Sequence, residues 1–446
     1  MPNWEQTPTR SAPAARKNSR APEMVRALRH RNFQLFFSGQ LISLIGTWMD
    51  NVAEGWLVYR LTHSSLLLGV ATFAGQIPVF LLAPIGGMIA DRWDRRRVVI
   101  GTQTASMLIA FTLAFLTLSR TVTVREVILL AACMGTVNAA DIPTRQAFLV
   151  QMVGRDDLMN AIALNSSMFN AARVVGPSIA GLLVAWKGEG WCFLLNALSY
   201  VAVIAGLLAM RIPPKARFVH NASPLEHIAE GFRFARRTAP IRAILLLLAV
   251  VSLVATPYSV LMPIFAAKVL HGNARTLGVL MGAAGAGAVT GALVLAARSG
   301  IRGLGRWVAM ACGGFGISLI AFSLSRWYAS SVVLLVPVGF CAMVQMASSN
   351  TLIQSMVPDE LRGRIMAIYS MMFMGTVPVG ALLSGALADH IGAPWTVALG
   401  GMGAIAGAIV FGRHLPKLRV EARQLLRAQG LAAGEPIGRA TDESIS

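Results

Sequence analysis

A chain of 446 residues in which 55% of positions are hydrophobic and only 13% charged, with a mean hydropathy of +0.62, is not a soluble globular protein, where about 25% of residues are charged. A net charge of +19 would suit a nucleic-acid partner. The basic residues lie in the gaps between apolar runs and not on one segment, which excludes that reading.

Residues 1–30 are polar and basic, with no apolar core leading to a small-residue cleavage site. They predict a cytosolic arm with a short amphipathic start near 22–30 on the membrane surface. Twelve apolar runs follow, at about 33–59, 67–91, 98–119, 126–149, 159–185, 191–211, 242–267, 275–297, 305–325, 328–354, 363–388 and 392–412. Each is long enough to cross a hydrocarbon core of about 30 Å. The longest polar break, 211–241, is punctuated by Pro213, Pro214 and Pro224, and its segment 225–237 reads as an amphipathic surface helix. The expected organisation is an arm at 1–30, a six-helix bundle at 31–211, a cytosolic linker at 212–241, a second six-helix bundle at 242–412 and a cytosolic tail at 413–446. The fold class is all-α and polytopic. Cys133, Cys192, Cys312 and Cys341 all fall inside apolar runs, where they read as small packing residues, neither a disulfide framework nor a metal set.

Basic residues set the orientation. All 39 can be placed: 30 on the side of the two chain ends and the linker, 7 on the other side, with Arg145 and Arg173 inside spans. This asymmetry predicts both termini in the cytosol. The halves also repeat. At an offset of 204, Ala163 meets Ala367, Ser166 meets Ser370, Met168-Phe169 meets Met372-Phe373, Gly176 meets Gly380, Gly181 meets Gly385 and Gly87 meets Gly291. Parallel repeats of this kind imply two bundles related by an axis along the membrane normal, with a cavity between them.

The stretch 86–98, Gly-Gly-Met-Ile-Ala-Asp-Arg-Trp-Asp-Arg-Arg-Arg-Val, is a hydrophilic hairpin between two spans. Gly86 and Gly87 are expected to let the two helices approach, and Asp91, Arg92, Asp94, Arg95 and Arg96 to form a latch that closes and opens. A cytosolic turn that only fixes topology is the plainer reading. Its counterpart in the second half, 300–307, lacks both acids.

Within the spans, Asp50 and Glu54 stand one turn apart on a single face. Ionised carboxylates facing lipid are costly, so they must look into the bundle or a wet cavity, where such a pair is suited to reversible proton carriage. A polar rim shared by Glu54 and Arg60 is the alternative. Asp141 and Arg145 repeat the spacing around Pro143, as a structural ion pair or a coupled one. Arg173 lies mid-span and keeps its proton, so it needs an acid, a carbonyl cage or an anionic substrate. Gly176, Pro177 and Gly181 permit a tight helix contact that could gate or merely pack. In the second half Tyr258, Gln345, Met346, Asn350 and Met372 read as an adaptable, largely apolar cavity wall, and Asp389-His390 as outer-rim residues. No phosphate-binding loop points to an ATP-driven pump, and no nucleophile or metal cluster suggests an enzyme.

These motifs resemble the major facilitator superfamily. Gly87–Arg97 resembles its loop signature of glycine, apolar residues, Asp-Arg and a basic cluster, with Asp94 where a glycine is usual. Asp141-Ile-Pro-Thr-Arg-Gln-Ala-Phe, Asn160-Ala-Ile-Ala-Leu-Asn-Ser and Phe169-Asn-Ala-Ala-Arg-Val-Val-Gly-Pro with Gly181 are similar to the branch of enterobactin-exporter-like efflux permeases. The likeness spans about residues 30–412. It implies the major facilitator fold, no cofactor, an inner-membrane location, and a role in proton coupling for an arginine of span 4, here Arg145. It also implies a gating glycine-proline signature at Gly176, Pro177 and Gly181, in which Ala171 and Ala172 replace expected glycines.

The function expected is secondary export of an amphipathic or hydrophobic small molecule (a drug, siderophore or toxin) by proton antiport. Substrate, protons and membrane lipids are the expected partners, nucleic acid is not, and the chain is expected to act as a monomer. A lipid or lysophospholipid flippase and a non-transporting receptor on the same scaffold are the alternatives. The topology is directly testable: a cysteine placed in the 211–241 linker should resist impermeant thiol reagents in intact cells and react after permeabilisation. Labelling without permeabilisation would overturn the orientation.

Overall fold

The computed structural model describes residues 23–154, 157–211, 224–298, 300–301 and 303–428, so most of the arm, residues 212–223 of the linker and the last part of the tail lie outside the described residues. A 3₁₀ turn at Glu23–Arg29 precedes α1 (Arg31–Thr62), α2 (Ser65–Arg92), α3 (Arg95–Leu118), α4 (Val124–Val153), α5 (Leu158–Lys187) and α6 (Glu189–Ala209). The linker contributes α7 (Pro224–Arg237), and α8 (Ala239–Val254) opens the second half. Pro257 and Pro263 break the continuation of α8 into a 3₁₀ turn (Thr256–Leu261), a short α9 (Met262–Ile264) and a π-helical turn (Phe265–Val269), which together make one span. Then come α10 (Ala274–Ala296), α11 (Leu304–Leu324), α12 (Tyr328–Met356), α13 (Asp359–Ile391) and α14 (Ala393–Ala428).

Among the described residues eleven helical segments are long and apolar enough to cross a membrane. The twelfth run is α1, which at 32 residues is about 48 Å long. It carries Asp50, Glu54 and Arg60 and packs against α5 and α6. The last helix does not stop at residue 412; it continues through Pro416 to Ala428, so the first part of the tail prolongs the span.

Local chemistry sets the boundaries. The Ser64 hydroxyl accepts from Leu67 N at the start of α2, Asp94 accepts from Arg97 N at 2.8 Å at the start of α3, and Thr123 with Glu126 forms a capping box on α4, each satisfying an amide that the helix cannot. The α2–α3 hairpin and α7 lie at one end of the bundle, termed the linker face. The α1–α2, α5–α6 and α13–α14 turns lie at the far face. At the linker face Arg364 of α13 pairs with Glu230 of α7, and Asp157 meets His30 at 2.9 Å and Arg26 at 3.2 Å. The hydrogen bond from His30, with help from Arg26, holds the Asp157 carboxyl below the usual range.

The two halves are built alike. α2 packs on α4 as α10 packs on α12, and α3 on α6 as α11 on α14. Gly176 and Gly380, paired by the 204 offset, do the same work in each half. Gly176 lets α5 press on α1, where a Cβ would lie 2.5 Å from Trp48 Cβ, and Gly380 lets α13 press on Leu253 O of α8. Proline contributes to the same packing. Pro143, Pro177 and Pro257 have no N–H for the carbonyls four residues earlier, and those oxygens, of Ala139, Arg173 and Leu253, are turned onto Gly86, Gly285 and Gly380.

One expectation needs correcting. Gly86 does meet α4, but a Cβ on Gly87 would have nothing within 4 Å, so only the first glycine permits close packing here. Gly86→Val should therefore lower thermal stability, by roughly 1–3 kcal/mol if it behaves as an overpacked core site. Gly87→Ala should leave the melting temperature unchanged. Equal effects in a detergent melting series would contradict the assignment.

Candidate translocation site

The two halves touch along two seams, α2 on α13 and α5 on α10. In the first, a Cβ on Gly69 would lie 2.5 Å from Ala381 O, and one on Gly385 2.5 Å from Ser65 O. In the second, Gly181 and Gly278 oppose each other, and Arg173 O lies 3.0 Å from a Cβ on Gly285. These crossings occupy the far half of the molecule. Nearer the linker face Gly375 still meets Phe80, whereas Gly363 and Gly87 have open space beside them. The close glycine contacts between the bundles thus concentrate in the far half.

The far closure carries a polar clasp. Asp389, at the end of α13, accepts from Ser65 N at 2.7 Å, Ser64 Oγ at 3.0 Å and Leu66 N at 3.3 Å. A carboxylate of the second half thus caps the helix that begins the first half's seam. Sequence reasoning placed Asp389 on the rim only. The available signal was an acid one turn beyond Gly385, in register with the Ser64-Ser65 start of α2.

The hairpin at the linker face behaves differently from the expected latch. Arg95 donates to Ala90 O and Ala147 O, and Arg96 to Leu207 O and Leu208 O, so both bond backbone oxygens within the first half. Asp94 caps α3. Asp91 is 77% exposed, with Arg95 at 3.9 Å, and Arg92 lines a cleft of about 780 Å³ with Trp93 and Arg97 beside α3. Of the hairpin's charged candidate residues, Asp91 and Arg92 are those not committed to bonding the backbone.

Inside the spans most charge is paired. The buried Asp141 accepts from Thr102 Oγ1 at 2.7 Å and Gln103 Nε2 at 3.0 Å, and Arg145 Nη2 lies 3.3 Å away. This is a satisfied ion pair tying α3 to α4, and Thr102 and Gln103 were not singled out in the sequence. Arg60 holds Glu189 through two bonds, of 2.7 and 3.2 Å. It therefore does not form a rim with Glu54.

Three charged side chains near mid-span have no ion pair among the described residues. Asp50 lies near Asn196 of α6 but leaves Oδ1 without a hydrogen-bond partner. Glu54 stands within electrostatic reach of Asp50 and has no ion pair among the described residues. Arg173 has none either; its guanidinium lies 5.7 Å from the Trp48 ring centroid. Asp50 and Glu54 thus neighbour each other on α1, whereas Arg173 of α5 lies against Trp48.

The expected second-half wall is only partly matched. Tyr258 sits in the broken part of span 7, half-buried and edge-on to Phe315 at 6.1 Å. Gln345 is buried and reaches Ser349 within its own helix at 3.5 Å, so packing against neighbouring helices removes it from the wall. Met346, Asn350 and Met372 are half-buried. Met346 O accepts from Tyr369 OH, and Asn350 bonds Gln354. Pro177 and Gly181 lie at the α5–α10 seam, whereas Gly176 packs inside the first bundle.

Two six-helix bundles with a parallel repeat and two cross-seams define a membrane transporter of the major facilitator type. A family model described as transmembrane secretion effector matches residues 24–431, and the chain belongs to that family. Among curated relatives, the staphyloferrin A transporter of Staphylococcus aureus is 27% identical over 84% of this chain and 94% of its own length. The enterobactin exporter of Shigella boydii is 26% identical over 89% and 93%. Among solved structures, the nucleoside transporter NupG superposes with a TM-score of 0.67 at 14% identity, over 87% of this chain and 99% of that one. A bacterial homologue of the human lysosomal transporter Spinster gives 0.62 at 14%, over 92% and 99%.

The clasp can be tested by substitution. A helix cap is worth about 1 kcal/mol, a roughly fivefold change in an open-to-closed ratio. Asp389→Ala should raise the reactivity of a cysteine at the buried Leu68 towards an impermeant maleimide by about that factor. Asp389→Asn, which keeps an acceptor oxygen, should fall between. Unchanged reactivity in both would leave the closure to the glycine seams alone.

Proposed function

We propose that this protein is a secondary exporter of a siderophore-class small molecule, working by alternating access and driven by inward proton flow. The observation that carries the reading is the placement of the two seams, whose tight backbone contacts lie in the far half of the molecule. Because the halves repeat, the opposite arrangement is available at similar cost, and a molecule held between them would face each side in turn. Basic-residue asymmetry supports placing the linker face in the cytosol, so the conformation described would load from within. The relatives named as an enterobactin exporter and a staphyloferrin A transporter favour a siderophore and outward movement. Both walls come from one chain, so a monomer suffices.

Proton coupling is assigned to Asp50, with Glu54 beside it. The charge of Asp141 is already matched by Arg145, whereas Asp50 keeps an oxygen with no partner in a buried setting, where holding a charge is costly and gaining a proton relieves that cost. One proton moving down the membrane potential supplies about 2.3 kcal/mol per 100 mV. The Asp91 hairpin is assigned to closing the linker face in the opposite state.

Flux into inverted vesicles under an imposed pH gradient tests the reading, with a catecholate siderophore, a citrate-based siderophore and a lysophospholipid offered separately. Asp50→Asn should abolish accumulation of the transported compound against its gradient and leave downhill exchange. Wild-type accumulation by Asp50→Asn would remove the proton assignment. Movement of the lysophospholipid alone would replace export by flipping, and binding without movement would mean a receptor.

A further inference from the structure

Arg173 is a mid-span cation with no ion pair among the described residues. It stands near the middle of α5, roughly 21–22 Å of helix from either end, where an unmatched charge is expensive and persists only with a purpose. None of the described carboxylates comes within ion-pair distance of it. What it has instead is a platform. Its guanidinium lies over Trp48 at 5.7 Å, and Trp48 meets Phe169 edge-on at 5.5 Å. Phe169 lies one turn nearer the linker face and is 45% exposed. Tyr258 of the second half is within electrostatic reach of Arg173. The backbone oxygen of Arg173 abuts Gly285 across the α5–α10 seam. The residue therefore sits beside the α5–α10 seam, where the two bundles meet and where the proposed transport space would lie.

We propose that Arg173 and its Trp48–Phe169 platform form the anion-binding subsite of this space, and that the molecule carried bears an acidic group next to an aromatic or other flat apolar surface. The assignment rests on the transport reading only for what happens after binding. The chemistry is that of a planar fork of N–H donors, which matches a carboxylate or paired phenolate oxygens, held flat by a ring on one side so that little freedom is lost on binding. The adjoining Phe169 edge and the Tyr258 ring would receive the apolar part of the ligand. In this scheme Arg173 recognises the cargo, whereas the carboxylates of α1 handle the proton.

Calorimetric titration of the full-length protein in nanodiscs tests it, with naphthoate as the probe and naphthylmethylammonium as a cation of the same shape. Wild type should bind naphthoate and prefer it to the ammonium compound. Arg173→Gln should weaken naphthoate at least about tenfold, the effect expected for loss of a charge-assisted pair, and Arg173→Lys should weaken it less. Trp48→Leu keeps the charge and should weaken naphthoate several-fold, which carries the test if Arg173→Gln does not fold. Equal affinity of wild type for the two probes, or undiminished naphthoate binding by Arg173→Gln or Trp48→Leu, overturns the assignment. Arg173-dependent binding in a protein that moves nothing across vesicles counts against the transport reading alone. Siderophore flux untouched by Arg173→Gln counts against this subsite alone.

Discussion

The architecture depends on close backbone contact at two glycine seams, Gly69 with Gly385 and Gly181 with Gly278. In a bilayer there is no hydrophobic drive to press helices together, because lipid tails are as apolar as leucine. Contact must come from dispersion and weak C–H···O bonds at short range, each worth about 0.5–1 kcal/mol. Those need positions without side chains. Such a seam is strong while shut and loses most of its attraction after a small separation. That makes it suited to a joint with two states, and it explains why the same device serves inside each bundle, where Gly86 and Gly380 receive carbonyls freed by Pro143 and Pro257.

The second organising feature is how charge is used inside the membrane. Asp141 with Arg145 and Arg60 with Glu189 are closed pairs, and Asp389 is committed to the amino end of α2. These hold helices in place. Asp50 and Glu54 of α1 and Arg173 of α5 have no ion pair among the described residues, and two are acids while one is a permanent cation. The proposed division of labour between proton and cargo rests on that chemistry, since a carboxylate can be neutralised and a guanidinium cannot.

Much of this was legible in the sequence, because the bilayer imposes long apolar runs and the duplication repeats its glycines at a fixed offset. The six-plus-six plan, the amphipathic α7 and the pairing of Gly181 with Gly385 as repeat partners follow from patterns that one strand of sequence can carry. What was not legible depends on which neighbour a side chain finds. Gly86 and Gly87 are identical as letters, and only helix rotation decides that one meets Ala139 and the other open space. The arginines of the hairpin look like latch partners until Arg95 and Arg96 are seen bonding backbone oxygens of α2, α4 and α6. Gln345 looks like a cavity amide because polarity in an apolar run suggests function, yet burial gives it an intrahelical partner. Asp389 was underread for the opposite reason, since an acid near a span's end has an ordinary explanation.

Alternating access, as proposed, requires the two halves to exchange contact at one face for contact at the other. Spin labels report this most directly, with one pair at positions 87 and 363 on the linker face and another at 66 and 390 on the far face, measured in lipid vesicles with and without a pH gradient and transported compound. The account predicts two distance populations for each pair, the linker-face distance shortening in the same molecules and conditions in which the far-face distance lengthens. A single distance at both faces, unchanged by gradient or compound, would contradict it.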